Sequence, residues 1–134
     1  MENFYYYLLE AHKTSNKKFI INPEEQLRFR EIWDKVQNNV SLLKSRLPEK
    51  QLIGLLAQNS RYFVVQYLSI ISSGHVVVLL DALLKPIEHK ANIESNNVNV
   101  VLAQPAMVPK LQEALGSASS VKVISECGDL IDNP

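Results

Sequence analysis

Cysteine is almost missing: Cys127 stands alone among 134 residues, so there is no internal disulfide and no thiolate-built zinc site, which takes about four Cys or His ligands. That usage is the one expected of a cytosolic protein. The three histidines, His12, His75 and His89, fall at no ligand spacing, and a structural metal is not expected. Only four glycines occur, too scattered to spell Gly-x-x-x-x-Gly-Lys-Ser/Thr or Gly-x-Gly-x-x-Gly, so a self-sufficient nucleotide site is not expected either. Charge of one sign is also lacking. Fourteen Lys and Arg balance 14 Asp and Glu, which leaves no global field to draw nucleic acid or an anionic membrane. No apolar run reaches the roughly 18 to 20 residues of a membrane span. Met1 to Glu10 has neither the basic flank nor the apolar run of a signal peptide.

What remains is an ordinary globular composition, 46% hydrophobic and 21% charged, at a length that suits a single domain over residues 1–134. Phe4, Tyr7, Leu8 and Ala11 recur at helical steps and predict a short N-terminal helix. Lys17 to Ile21 and Gln26 to Phe29 flank Asn22-Pro23-Glu24-Glu25, the signature of a small antiparallel hairpin. From Phe29 a stripe of Ile32, Trp33, Val36, Val40, Leu43 and Leu47 predicts a helix of about four turns, with Pro48 just beyond its end.

Gln51 to Ala57 is then a short and almost wholly apolar run, as expected of a strand covered on both faces. Asn59 and Ser60 offer N-caps to a helix through Ile71 that is apolar nearly all round and is expected to be buried, with Gly74 as its stop. His75 to Leu80, Val98 to Leu102 and Val121 to Ile124 read as further parallel strands. Between them lie a helix from Pro86, with Ile87 and Ala91 on its core side, and a helix from Pro105 through Leu115 that stops at Gly116. The alternation predicts an α/β fold, a mainly parallel sheet with flanking helices preceded by the N-terminal helix and hairpin.

Few residues suggest chemistry. The turn Gln58-Asn59-Ser60-Arg61 could present helix amides and an arginine to an anion, but capping by Asn59 or Ser60 explains the same residues. Val76 to Leu80 ending at Asp81, with Pro86 following, resembles the phospho-acceptor strand of a response-regulator receiver. The acidic pair that would hold magnesium there is replaced by Gln58, Asn59 and Ser60, so the charge compensation for phosphoryl transfer is missing. Cys127 has no basic neighbour in sequence to lower its pKa, His75 opens a strand, Trp33 belongs to a core stripe, and Tyr5, Tyr6 and Tyr7 point around a helix. No acid and base pair can be nominated.

Three phrases in order carry more information. Phe29-Arg30-Glu31-Ile32-Trp33-Asp34-Lys35-Val36 is similar to the Tyr-x-Glu-Leu-aromatic-x-x-Val that opens a long helix in the adenylate-forming superfamily of acyl-CoA synthetases, luciferases and adenylation domains. Ala57-Gln58-Asn59-Ser60-Arg61-Tyr62-Phe63-Val64 resembles its Pro-Asn-Ser-x-x-Phe/Tyr-Val, and Ser73-Gly74-His75-Val76-Val77-Val78-Leu79-Leu80 its Ala-Gly-Ala-Val-x-Val-Pro-Leu. Pro86 to Asn97 and Val98 to Leu102 extend the likeness over essentially the whole chain. His75 in place of a small residue, Leu79 in place of proline and Gln58 in place of proline depart from the pattern.

The resemblance implies a ligase that uses ATP and magnesium to convert a carboxylic acid to an acyl-adenylate, then passes the acyl group to CoA or a carrier thiol. It also implies that this chain is the N-terminal portion only. The family's phosphate loop, aromatic-Thr-Glu motif, ribose-binding aspartate and C-terminal lysine all fall beyond the equivalent of Pro134, so no catalytic, cofactor-binding or metal-binding residue is carried over. Implied partners are the remainder of its own polypeptide and, through an exposed sheet edge, a second copy. The alternative is a complete, non-catalytic binding or assembly module with the same fold.

Overall fold

The computed structural model describes residues 10–22 and 25–130, without the side chains of 19–22 and 25. The helix expected from Phe4, Tyr7 and Leu8 lies outside them, and Ala11 sits in a turn closed by the Lys13 amide donating to the Glu10 carbonyl (3.2 Å). Strands β1 (Lys18–Asn22) and β2 (Glu25–Arg28) pair antiparallel, Lys18 opposite Arg28 and Phe19 opposite Leu27. Helix α1 (Phe29–Arg46) follows without a linker. Its entry is fixed by Glu31, whose Oε1 accepts from the Arg28 amide (3.0 Å). Lys44 and Arg46 complement the negative end of the helix dipole in the last turn. As the stripe predicts, Ile32, Trp33, Val36, Val40 and Leu43 are its buried residues.

Four parallel strands form the central sheet in the order β4-β3-β5-β6, with β3 Leu52–Leu56, β4 Val76–Leu80, β5 Val100–Ala103 and β6 Lys122–Ile124. Helices α2 (Arg61–Ser72), α3 (Pro86–Ser95) and α4 (Val108–Leu115) connect them. Side chains alternate across the strands with period two. Ile53, Leu55, Val100, Leu102 and Ile124 join Leu43 of α1 and Ile70 of α2 in one core. Leu56, Leu80, Val101 and Ala103 join Ile93 of α3 and Leu111 and Leu115 of α4 in a second. The sheet is therefore covered by α1 and α2 on one face and by α3 and α4 on the other, a doubly wound arrangement.

Two expectations are corrected by the packing. Helix α2 is half-buried rather than enclosed: Tyr62, Phe63, Val64, Tyr67, Leu68 and Ile71 keep part of their surface, while Gln66, Ser69 and Ser72 are among its most buried residues. Gln66 and Ser69 go inside because they are paired there, whereas the buried Ser72 hydroxyl has no hydrogen-bond partner. The Ser69 hydroxyl donates to the Val65 carbonyl (2.6 Å) and accepts from Asn39 Nδ2 of α1 (3.2 Å). Strand β4 is a continuous apolar run like β3, yet among the described residues it is an edge strand, with Val76 40% and Leu79 57% exposed. In α3, Ile87 is 62% exposed and Ala91 is exposed, whereas His89 and Ile93 face the sheet. The helix begins at Pro86, and that start sets a phase in which the i, i+4 pair His89 and Ile93 points inward.

Pro105 opens a 3₁₀ turn (Pro105–Met107), and α4 starts afresh at Val108 with Pro109 in its first turn. Gly116 ends α4 at φ +83° and ψ 162°, a region open essentially only to glycine. A Cβ there would meet nothing within 4 Å, so the penalty for Gly116→Ala is conformational alone. Urea unfolding should show a loss of about 1 to 3 kcal/mol; an unchanged midpoint would contradict the backbone assignment.

Candidate functional site

The carboxyl ends of parallel strands are where doubly wound sheets hold ligands. Here that edge is made by the turn after β3, the loop after β4 and the segment after β5. Ser60 is the N-cap of α2, accepting from the Phe63 amide (3.2 Å) and donating to the Gln58 carbonyl (2.9 Å). Asn59 does not share that role. Gln104, directly after β5, reaches across: its amide donates to the Leu56 carbonyl (2.9 Å), and its Oε1 accepts from the Gln58 amide (3.0 Å). The amides of Gln58 and Phe63 that an anion would need are thus already bonded within the chain, and the capping reading accounts for the turn. Asp81 closes a tight turn instead of standing free, its Oδ1 accepting from the Leu83 amide (2.9 Å). It sits at the end of an edge strand, opposite a β3 turn with no carboxylate. Among the described residues no three His, Cys, Asp or Glu side chains gather as a metal site.

Cys127 lies in a short 3₁₀ turn (Cys127–Asp129), 1% exposed, with Sγ 3.8 Å from Gln66 Oε1. Burial above all, then the carboxylate of Asp129, pushes its thiol up to about 12, the opposite of an activated nucleophile. The same Gln66 Oε1 accepts from Asn39 Nδ2 (3.5 Å), so Asn39, Gln66, Ser69 and Cys127 form one polar cluster tying α1, α2 and the C-terminal turn together. Beside it the Tyr62 hydroxyl donates to the Ser125 carbonyl (2.7 Å), and burial raises its pKa further above the usual tyrosine range. Sequence reading missed this cluster, although Gln66 and Ser69 inside an apolar run were its signal. Trp33 packs in the core with Leu27, Val36 and Val65; Tyr5, Tyr6 and Tyr7 lie outside the described residues.

His75 and His89 are buried at opposite ends of the sheet. His75 Nδ1 accepts from the Gln51 amide (3.2 Å), which places the proton of the neutral ring on Nε2, an atom with no hydrogen-bond partner. Burial lowers its pKa against the opposing pull of the Leu43 and Leu47 carbonyls. Burial likewise lowers that of His89 against Asp81, Glu88 and the Leu84 carbonyl. With both folded values depressed, the unfolded chain takes up protons first as pH falls through about 6.5. Their contribution to stability is full above that value and is lost below it, as pH falls through the lowered folded values. Urea midpoints should fall between pH 7.5 and 5.5; a flat profile would contradict the two burial assignments.

The family model described as AMP-binding enzyme matches residues 9–133. The chain belongs to the AMP-binding enzyme family. Solved structures agree in fold. The chain is similar to the anthranilate CoA ligase AuaEII in complex with anthranoyl-AMP, with a TM-score of 0.77 at 20% identity over 96% of this chain and 27% of that one. It is similar to a benzoate CoA ligase from Burkholderia xenovorans LB400 (TM-score 0.74, 20% identity, 97% and 28% covered). It is also similar to ATP-bound MatB from Rhodopseudomonas palustris (TM-score 0.74, 15% identity, 97% and 28% covered). A search of curated protein sequences gives no match. The chain spans about a quarter of the length of the solved structures it matches, and as an AMP-binding family member it corresponds to an N-terminal segment. Among its described residues no helix is long and apolar enough to cross a membrane.

Proposed function

We propose that this chain is the N-terminal segment of an acyl-adenylate-forming ligase, which joins a carboxylate to the α-phosphate of ATP with release of pyrophosphate and then transfers the acyl group to the thiol of CoA or a carrier, releasing AMP. The family match over residues 9–133 carries this reading. Within it the segment is scaffold. The Gln58 and Phe63 amides of the β3–α2 turn are bonded to Gln104 and Ser60, which supports a structural role for that turn. ATP and magnesium belong, in this reading, to the rest of the polypeptide, and no step is assigned to a residue here. The edge of β4, with Val76, Leu79, Leu83 and Ile87 exposed beside it, pairs with that remainder; in the isolated chain it pairs with a second copy. Light scattering on the isolated chain should then give a dimer or larger, and a monomer at high concentration would contradict that pairing.

The test of the activity is pyrophosphate–ATP exchange by the native protein that contains this chain, captured from source cells with an antibody to it. Exchange dependent on one member of a broad carboxylic acid panel is the expected result. No exchange with any acid would overturn the reading in favour of a non-catalytic module.

A further inference from the structure

A cavity of about 610 Å³ lies between α1, the start of α2 and the 3₁₀ turn that holds Cys127. Leu27, Leu42 and Val65 give it a limited aliphatic wall, and most of its lining is polar. Gln66 is the most deeply buried of the polar side chains there, 7% exposed. Its Oε1 accepts from Asn39 Nδ2 (3.5 Å) and from the Cys127 thiol (3.8 Å), so the amide is held by its oxygen. Its Nε2 donates to no acceptor among the described residues. Nor is that nitrogen sealed off, since the described side-chain atoms buried without a partner are Ser72 Oγ, His75 Nε2 and His89 Nδ1. Gln66 thus presents a pair of N–H donors in the cavity wall. Asn39 beside it is held in the opposite sense. Its Nδ2 is engaged by Gln66 and by the Ser69 hydroxyl (3.2 Å), and its Oδ1 is left in the same wall as an acceptor with no partner among the described residues.

Charge and chemistry narrow the class. Lys35 and Arg61 line the cavity against Glu31 and Glu126, so an anion meets two carboxylates and a cation meets two positive groups. An apolar ligand would strip water from Gln66 and Asn39 and return no hydrogen bond. Donors and acceptors side by side call for a neutral group that does both, and a hydroxyl donates and accepts at one oxygen. A single amide would answer Gln66 and Asn39 and leave Lys35, Asn38 and Glu126 unused, whereas a ring carrying several hydroxyls offers partners to all five. At about 610 Å³ the cavity falls within the roughly 300–1,000 Å³ of small-molecule sites.

We propose that this cavity binds a neutral polyhydroxylated ligand, a sugar of one or two rings, held by Gln66 and Asn39 at its floor and by the exposed Lys35, Asn38 and Glu126 at its rim. The site is built from this chain alone and does not depend on the ligase reading; the sugar is bound and undergoes no reaction.

The test is a titration of the ¹⁵N-labelled chain with glucose and with trehalose, followed by amide shifts that include the side-chain NH₂ of Gln66. Saturable shifts of that group and of backbone amides in residues 31–42, 61–66 and 126–128 are expected with at least one of the two sugars. Asn38→Ala, an exposed change on α1, should weaken binding by about threefold to tenfold, as for the loss of one hydrogen bond. Asn38→Trp should abolish it by filling the rim. Glycine betaine and inorganic phosphate, a zwitterion and an anion, should give no saturable shifts at these positions. Shifts that rise linearly with both sugars, saturable shifts that persist in Asn38→Trp, or tighter binding of phosphate or betaine would each overturn the proposal. Gln66→Leu removes the donor pair and should cost at least as much affinity as Asn38→Ala; should it fold poorly, the two Asn38 variants decide the matter alone.

Discussion

Leu102→Ala should lower the free energy of unfolding by about 3 kcal/mol, within the roughly 2 to 5 kcal/mol span of buried leucine truncations. Leu102 is fully buried on β5, opposite Leu55 of β3 on one side and Ile124 of β6 on the other. All three belong to the core shared with α1 and α2. Removing the isobutyl group therefore opens a void bounded by three strands and cannot be healed by one rotamer change, because the sheet's hydrogen bonds hold the walls apart. Ile93→Ala on the opposite face should behave similarly without adding to it in a coupled way, since its core is a separate one. Urea denaturation with an unchanged slope is the check; a loss below about 1 kcal/mol would place Leu102 outside a packed core.

The second large effect is of opposite origin. Gly54 lies in the middle of β3, and a Cβ built on it would stand 3.1 Å from Val101 Cγ2, 3.3 Å from Leu80 Cδ1 and 3.4 Å from Val98 Cγ1. The missing side chain is what lets Leu80, Val98 and Val101 close over the α3/α4 face of the sheet. Gly54→Ala asks each neighbour for a few tenths of an ångström, and the reduced freedom of the unfolded chain offsets part of that strain, about 0.4 to 1 kcal/mol. Gly54→Val forces two further methyl groups into the same space and should destabilise by about 2 to 3 kcal/mol. The contrast between the two is the informative readout. Equal and small losses for alanine and valine would show that the α3/α4 core is loosely packed.

Much of this architecture was legible because period and punctuation agree. The α1 stripe, the hairpin, the apolar strand runs and the Pro48 and Gly116 stops all lie where hydrophobic spacing and backbone chemistry put them. The misreadings share one cause, which is that composition says how apolar a segment is and not how much neighbouring structure there is to cover it. Helix α2 and strand β4 are apolar enough for burial on all sides, but within the described residues β4 is an edge, and α2, packed on the sheet and on α1, keeps part of its apolar surface open. In α3 the pair Ile87 and Ala91 suggests the wrong phase, because a histidine at 89 does not announce itself as a core residue. The polar cluster of Asn39, Gln66, Ser69 and Cys127 was invisible for a related reason. Its members are 27 to 61 residues apart where they bond, and only the docking of α1 on α2 brings them together. The functional reading rested on three local phrases, and the family match spans all of them.

The most direct test of the account is the mass of the native protein, read by immunoblot of source cells with an antibody raised against this chain. A band several times larger than the chain's 15.2 kDa is the expected result, as for a ligase of which this segment is about a quarter. A single band at 15.2 kDa would contradict it.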